Sequence, residues 1–205
     1  MEELEAKVDS EEYDTVAVSE TWFKEDSNWR TGLKGYKVCR CDGKERIGGG
    51  GRGVAIWVKD SIASRERGDI REGINVEDSV WVEIRDCKNS KILVGCFYRA
   101  PGGKKEEEGG VHEEFKRACG KGRVLIMGDF NLPGIVWVQE QGKGRADEDF
   151  LVLVQDCFLT QFVDKPTRGS AVLDLLLSND SDVVKEVEVG EHLGASDHNI
   201  VCAFC

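Results

Sequence analysis

Two stretches constrain this chain more than any total does. The first reads Leu125-Ile126-Met127-Gly128-Asp129-Phe130-Asn131, and the second reads Gly194-Ala195-Ser196-Asp197-His198-Asn199. Each reads as a strand end that sets a carboxylate beside a second polar group. Apolar runs this short, bounded by turn residues, are expected of buried strands rather than helices. Two such strand ends in one chain predict a shared floor on which Asp, Asn and His meet. Those side chains are the usual parts of metal-assisted phosphodiester cleavage.

The totals permit a single unit of this kind. The chain has 205 residues and is 40% hydrophobic, enough for one domain over residues 1–205 with a real core. No run approaches the ~18 to 20 apolar residues of a membrane span. The opening Met1-Glu2-Glu3-Leu4-Glu5 is acidic, unlike a secretory signal or a transit peptide. A nuclear or cytoplasmic protein, not a secreted one, is therefore expected. Its eight cysteines are then expected as reduced thiols. Cys96, Cys157 and Cys202 lie in apolar runs, where a thiol acts as a small hydrophobe.

The net charge of −11 argues against a generic nucleic-acid coat. The charge is uneven, however. Residues 30–71 carry eleven Lys and Arg against five acids, while the first twelve carry six acids against Lys7. A basic half beside an acidic pocket suits an enzyme that grips phosphates and holds a metal. The same charges also suit solvated strand edges and loops, so charge alone leaves both readings open.

Hydrophobic periodicity predicts an exposed helix over residues 2–12. It then predicts strands at Thr15–Ser19, Tyr36–Cys41, Val54–Val58, Ser79–Arg85 and Lys91–Tyr98. In Ser79–Arg85 the alternation predicts one buried face. Residues 102–110 read as a polar loop with no reason to pack. A helix over 111–119, a buried strand Arg123–Met127 and a second helix Asp147–Cys157 follow. Further strands are expected at Phe158–Phe162, Leu173–Leu177, Val183–Val189 and Ile200–Phe204. Paired strands with interspersed helices predict a layered α/β or α+β sandwich.

Three motifs mislead. Gly48-Gly49-Gly50-Gly51-Arg52-Gly53 matches a dinucleotide fingerprint by letter, but it opens a strand instead of a helix. It reads as a flexible loop. Cys202 and Cys205 form one C-x-x-C, and a zinc site shared with Cys39 and Cys41 is the lesser reading. His112-Glu113 begins like a zinc-protease helix, but Lys116 stands where the second His is needed.

Other positions carry more. Glu20 closes the apolar run Val16-Ala17-Val18, and a carboxylate at a strand end suits a hard cation. The Tyr98 phenol and the Arg99 guanidinium close another strand and suit a phosphate. Thr167 and Arg168 offer a hydroxyl and a second guanidinium. Asp174 lies in the apolar run Leu173–Leu177 and needs a partner, because Asp is rarely buried unpaired. The nearest chemical candidate is His198, since an Asp commonly orients an imidazole.

Taken in order, these segments resemble the endonuclease/exonuclease/phosphatase superfamily, the pancreatic-deoxyribonuclease-like fold. Within it the chain looks like the endonuclease domain of non-LTR retrotransposons of the jockey and chicken-repeat kind. The segments that carry the resemblance are Ser19–Trp22, Gly48–Val58, Tyr98–Pro101, Gly128–Pro133, Pro166–Arg168, Leu173–Leu176 and Ser196–His198. The resemblance implies a four-layer αββα sandwich of two mixed, mostly antiparallel β-sheets flanked by helices. It implies that Glu20 holds a divalent cation, Mg²⁺ or Mn²⁺, with Asp197 in the metal and phosphate shell. Asp129 would orient or deprotonate the attacking water, and Asn131 would position it. His198, braced by Asp174, would bond to the scissile phosphate, and Tyr98 would touch the phosphate or the leaving oxygen. Arg99, Thr167, Arg168 and Ser196 would be supporting substrate contacts.

The resemblance also marks a departure. The family begins with a strand ending in an Asn at the metal site, and no Asn occurs here before Asn28. Residues 1–12 resemble the helix after that strand, so Thr15–Ser19 is expected to lack a neighbour. The function implied is nicking of DNA by a monomer to prime reverse transcription, with the reverse transcriptase expected in the parent element and not here. The alternatives are an inactive remnant or a nucleic-acid-binding module that keeps the fold, and a phosphatase of small molecules.

Overall fold

The computed structural model describes residues 1–23, 32–42, 53–74, 76, 78–86, 88–102 and 105–205, with backbone alone over 105–108. Along the chain, α1 (Glu2–Glu11) leads into β1 (Thr15–Ser19), β2 (Tyr36–Asp42), β3 (Gly53–Lys59), β4 (Ser64–Glu66), β5 (Ser79–Arg85) and β6 (Lys91–Tyr98). Next come α2 (Lys105–Cys119), β7 (Val124–Asp129), β8 (Ile135–Val136), β9 (Gln141–Gly142) and α3 (Arg145–Asp156). The chain closes with β10 (Thr160–Gln161), β11 (Asp174–Ser178), β12 (Glu186–His192) and β13 (Asn199–Phe204).

A six-stranded sheet in the order β10-β11-β7-β6-β5-β4 forms the centre. Its β6–β7 pair is parallel, and its other pairs are antiparallel. A three-stranded antiparallel sheet, β1-β3-β2, lies over one face. The β12–β13 and β8–β9 ladders stand apart as two-stranded units.

Side-chain alternation along these strands feeds three apolar cores. Trp81, Leu93, Phe97, Ile126 and Leu177 point to one face of the central sheet, where they meet Phe115 of α2 and Phe150 and Leu153 of α3. Val80, Val82, Val94, Cys96 and Leu176 point to the other face, against Val54, Ile56 and Val58 of β3. The intervening β3 residues, Ala55 and Trp57, point outward against Val8 of α1. Helices, sheet, sheet and helix thus make the four layers expected. An α/β class with mixed and antiparallel sheets is the outcome.

Several local expectations need correction. Residues 105–110 are not loop, because α2 begins at Lys105. Acids at 106–108 favour a helix N-terminus. Docking of Phe115 and Ala118, both 0% exposed, outweighs the helix-weakening Gly109 and Gly110. Glu114 also ties α2 to β5, accepting from Ser79 Oγ at 3.0 Å and Trp81 Nε1 at 2.9 Å. The β5 strand is covered on both faces, since Val80 and Val82 serve one core and Trp81 another. Phe158 belongs to no strand. It takes φ +53° in the turn after α3 and is 85% exposed. Val183 and Val184 bury themselves in a turn before β12 instead of extending it. Of the glycine run, only Gly53, which opens β3, lies within the described residues.

Two glycines let the central strands meet. Trp81 lies beside Gly95 across the β5–β6 ladder, and a Cβ on Gly95 would come within 2.8 Å of its ring. At Gly128, φ is +140° and a Cβ would fall 1.9 Å from the Phe97 carbonyl oxygen. Gly128 therefore lets β7 approach β6 one residue before Asp129.

The expectation about Thr15–Ser19 concerns its edges. Among the described residues β1 pairs with β3 alone, and β13 pairs with β12 alone. The two are linked by the Tyr13 hydroxyl and Cys202 Sγ, 3.4 Å apart.

Candidate active site

Three neighbouring strands set the floor of the site. Asp129 is the last residue of β7 and Asp174 the first of β11, directly opposite each other in antiparallel register. Tyr98, the last residue of β6, sits beside Asp129 in parallel register. Side chains two residues apart share a face of a strand. Asp129 follows Leu125 and Met127, and Asp174 precedes Leu176, so both carboxylates open toward the space between the sheets.

Loops complete the site. The turn between β12 and β13 carries Ser196, whose Oγ accepts the His198 backbone N–H at 3.1 Å. His198 Nδ1 then lies 2.8 Å from Asp174 Oδ2, the partner expected for the half-buried Asp174. Asn199 N–H donates to the Thr167 carbonyl at 2.8 Å and pins the start of β13. Asn131, with φ +48°, turns back on Asp129. Its backbone N–H donates to Asp129 Oδ1 at 3.0 Å and its side-chain Nδ2 to Oδ2 at 2.8 Å. Nδ2 also reaches the Arg99 carbonyl at 2.9 Å, and the Arg99 backbone N–H donates to the Asp129 carbonyl at 2.8 Å.

Two carboxylates opposite one another in a buried place repel. Burial is the main reason that the Asp129 carboxyl, 3% exposed, is pushed up from 3.8 to about 7. Asp174 adds to the rise, with a smaller push from Glu20, while His198 and the Asn131 amide pull the other way. One ligand atom each from Asp129, Asp174 and His198 lie within 4.8 Å of one another. Two carboxylate oxygens and an imidazole nitrogen suit a divalent cation, which would relieve the repulsion.

The remaining sequence candidates are placed unevenly. Glu20 stands just past β1 with φ +55°, exposed, and acts on Asp129 through its charge. Glu20 and Asp197 lie outside the Asp129, Asp174 and His198 group. Asp197 Oδ2 is paired with Arg168 Nη2 at 2.6 Å, and its other oxygen is 4.0 Å from His198 Nε2. Arg99 also donates from Nη1 to the Asn131 carbonyl at 3.3 Å. Thr167 is the correction. It is 0% exposed, so it has no surface to offer a substrate. Its Oγ1 accepts the backbone N–H groups of Leu173 at 3.1 Å and Asp174 at 3.0 Å, which fixes the start of β11.

Asp78 escaped the sequence reading. This acid is 4% exposed at the same end of the sheet, and its carbonyl accepts the Tyr98 N–H at 3.0 Å. An acid bordering an apolar strand, as at Glu20, was the available signal. Among the described residues no helix is long and apolar enough to cross a membrane.

The fold has solved counterparts. The endonuclease domain of TRAS1, a telomere-specific non-LTR retrotransposon, superposes with a TM-score of 0.73 at 20% identity, over 96% of this chain and 87% of that one. The Xenopus laevis APE2 catalytic domain gives 0.66 at 16% identity, over 98% and 86%. A mannosyl-6-phosphatase of Bacteroides thetaiotaomicron gives 0.59 at 16% identity, over 97% and 87%. No curated protein matches the chain by sequence. The family model described as Endonuclease/Exonuclease/phosphatase matches residues 1–198, nearly the full length, and the chain belongs to that family.

Proposed function

We propose that this chain is a Mg²⁺- or Mn²⁺-dependent DNA endonuclease of the non-LTR retrotransposon type, which nicks one strand by hydrolysis. The observation that carries the reading is the contact of two pairs, Asp129 with Asn131 and Asp174 with His198, across one strand ladder.

Each residue then has a role. Asp129, with its proton affinity raised to about 7, is matched to accepting a proton from the attacking water near neutral pH. Asn131 holds that carboxylate in place through two hydrogen bonds. Asp174 binds His198 Nδ1, which leaves Nε2 to meet a phosphoryl oxygen. Tyr98 stands beside Asp129 for the phosphate or the leaving oxygen. Arg99, Arg168 and Ser196 line the approach of the sugar-phosphate backbone. Glu20 would hold the cation, with Asp197 at its phosphate side. The ion supplies Lewis-acid neutralisation of charge developing on the phosphoryl oxygens.

The basic stretch over residues 30–71 favours a polyanion over a small monoester. In the retrotransposon setting the freed 3′-hydroxyl primes reverse transcription, with the polymerase supplied by the parent element. We further propose that the chain acts as a single domain and a monomer.

The test is nicking of supercoiled plasmid by the purified chain with Mg²⁺, with Mn²⁺ and with a chelator, beside His198→Ala and a small phosphomonoester. Metal-dependent open circles that vanish in the variant support the reading. Turnover of the monoester alone would favour the phosphatase. DNA binding with no cleavage in either metal would favour a module that keeps the fold without the chemistry.

A further inference from the structure

Two residues past Glu20 the chain turns an indole outward. Trp22 is 56% exposed, whereas Trp57 and Trp81 are 0% and 1% exposed. Its neighbours are anchored on both sides. Thr21 N–H donates to the Gly53 carbonyl at 3.1 Å. Phe23 packs edge-on against Trp57, ring centroids 6.2 Å apart, with the Arg40 guanidinium 5.7 Å from its centroid. Glu20 and Trp22 both take left-handed backbone, φ +55° and +56°. Residues other than Gly, Asn and Asp are uncommon there, and such outliers cluster at functional sites. Thr21 and Phe23 fix the backbone of this segment, so the outward direction of Trp22 follows from its anchored neighbours.

A scattered surface aromatic needs no explanation. Trp22 differs in its place. The end of β1 lies against the end of β6, with the Val18 carbonyl 3.7 Å from Cys96 Sγ two residues before Tyr98. Glu20, two residues on, acts by its charge on Asp129, and Trp22 stands two residues further along the same segment. A flat aromatic face beside a phosphate-cleaving centre meets what flanks a scissile phosphate, namely a nucleobase or a deoxyribose. Every base offers a π-face, so such a contact adds affinity with little sequence preference.

We infer that Trp22 is a substrate-binding residue that stacks on the nucleotide next to the cleaved phosphate. This rests on the nuclease reading above. The stack exists in the bound ground state and persists through the reaction, so its loss falls on KM rather than kcat.

The test compares the native chain with Trp22→Ala and Trp22→Phe. Affinity for a labelled DNA duplex is read by anisotropy in chelator, and KM and kcat by nicking in Mg²⁺. The expected result for Trp22→Ala is weaker DNA binding and a higher KM by about 10- to 100-fold, with kcat within about threefold. Trp22→Phe, which keeps a ring, recovers most of the loss. DNA quenches the indole emission of the native chain more than that of Trp22→Phe. A Trp22→Ala chain that nicks with native KM and affinity overturns the inference and leaves the nuclease reading intact. Equal losses in Alanine and Phe variants, together with a lowered melting temperature, would assign Trp22 a structural part and overturn it too. A native chain that neither binds nor nicks DNA removes both readings.

Discussion

The two halves of the site are built differently. Tyr98, Asp129 and Asp174 stand on adjacent strands of the central sheet, above the buried Val94, Leu125 and Leu176. Glu20, Trp22, Ser196, Asp197 and His198 stand on turns beside β1 and β13, strands whose residues are half-buried or exposed. The strand half has its geometry set by ladders and close packing. The loop half is held by single contacts, such as Ser196 with His198 and Arg168 with Asp197. Rigid elements fix a reacting group more closely than loops do, while loops are where substrates are met. Breaking the packing of the strand half should therefore disturb folding and chemistry together, and breaking the loop half should disturb function alone.

The largest effect is expected for Asp129→Asn. Nicking should fall by about 10²-fold or more, since the proton acceptor is gone. Stability should move the other way. The Asp129 carboxyl is raised from 3.8 to about 7, so the folded chain binds this proton more tightly than the unfolded chain. Its contribution to stability is full at low pH and is lost as pH rises through about 7. Asp129→Asn should therefore melt higher than the native chain at about pH 8, and the advantage should shrink toward about pH 4. Melting temperature against pH checks this, and an equal advantage at all pH values would contradict it.

Gly128→Ala comes next. Its Cβ would press on the Phe97 carbonyl and hold a φ of +140°, so a loss of about 3 kcal/mol or more is expected in a denaturant titration. Activity should fall with it, because the β6–β7 ladder carries Tyr98 and Asp129.

Thr167→Val tests whether that hydroxyl positions Asp174 or meets DNA. It orphans two amides, at about 1 to 3 kcal/mol. It should lower kcat more than it raises KM, and Thr167→Ser should restore both. A pure rise in KM would return Thr167 to the substrate.

The smallest stability effect belongs to the loop half. Arg168 and Asp197 are 45% and 67% exposed, so Arg168→Gln should leave stability nearly unchanged. Its KM for DNA should still rise, with a weaker salt dependence. A large loss of stability would show that the two halves are less distinct than their packing implies.

Particular residues show how far the sequence reads. The strands Thr15–Ser19, Ser79–Arg85 and Lys91–Tyr98 stand where periodicity puts them. The pairing of Asp174 with His198 follows from the rule that a buried Asp needs a partner, and the 2.8 Å bond is present. In sequence a hydroxyl beside an Arg, as at Thr167, looks the same whether it faces DNA or two backbone amides, and in the structure it accepts from the amides of Leu173 and Asp174. The helix start at Lys105 was hidden because its polar, Gly-flanked letters favour a loop until Phe115 and Ala118 find a core.

Local preference and alternation were enough to determine most of the strands and the layered class, because these depend on which residues avoid water and in what rhythm, and the order of the motif segments carried the resemblance to the family. Sheet order, register and the meeting of Asp129 with Asp174 were decided only in the tertiary structure. Those partners lie 45 residues apart, as their numbers give, and no local pattern specifies which distant strand will lie alongside. The raised proton affinity of Asp129 belongs to that level as well, because burial and a neighbouring charge exist only once β7 and β11 have paired.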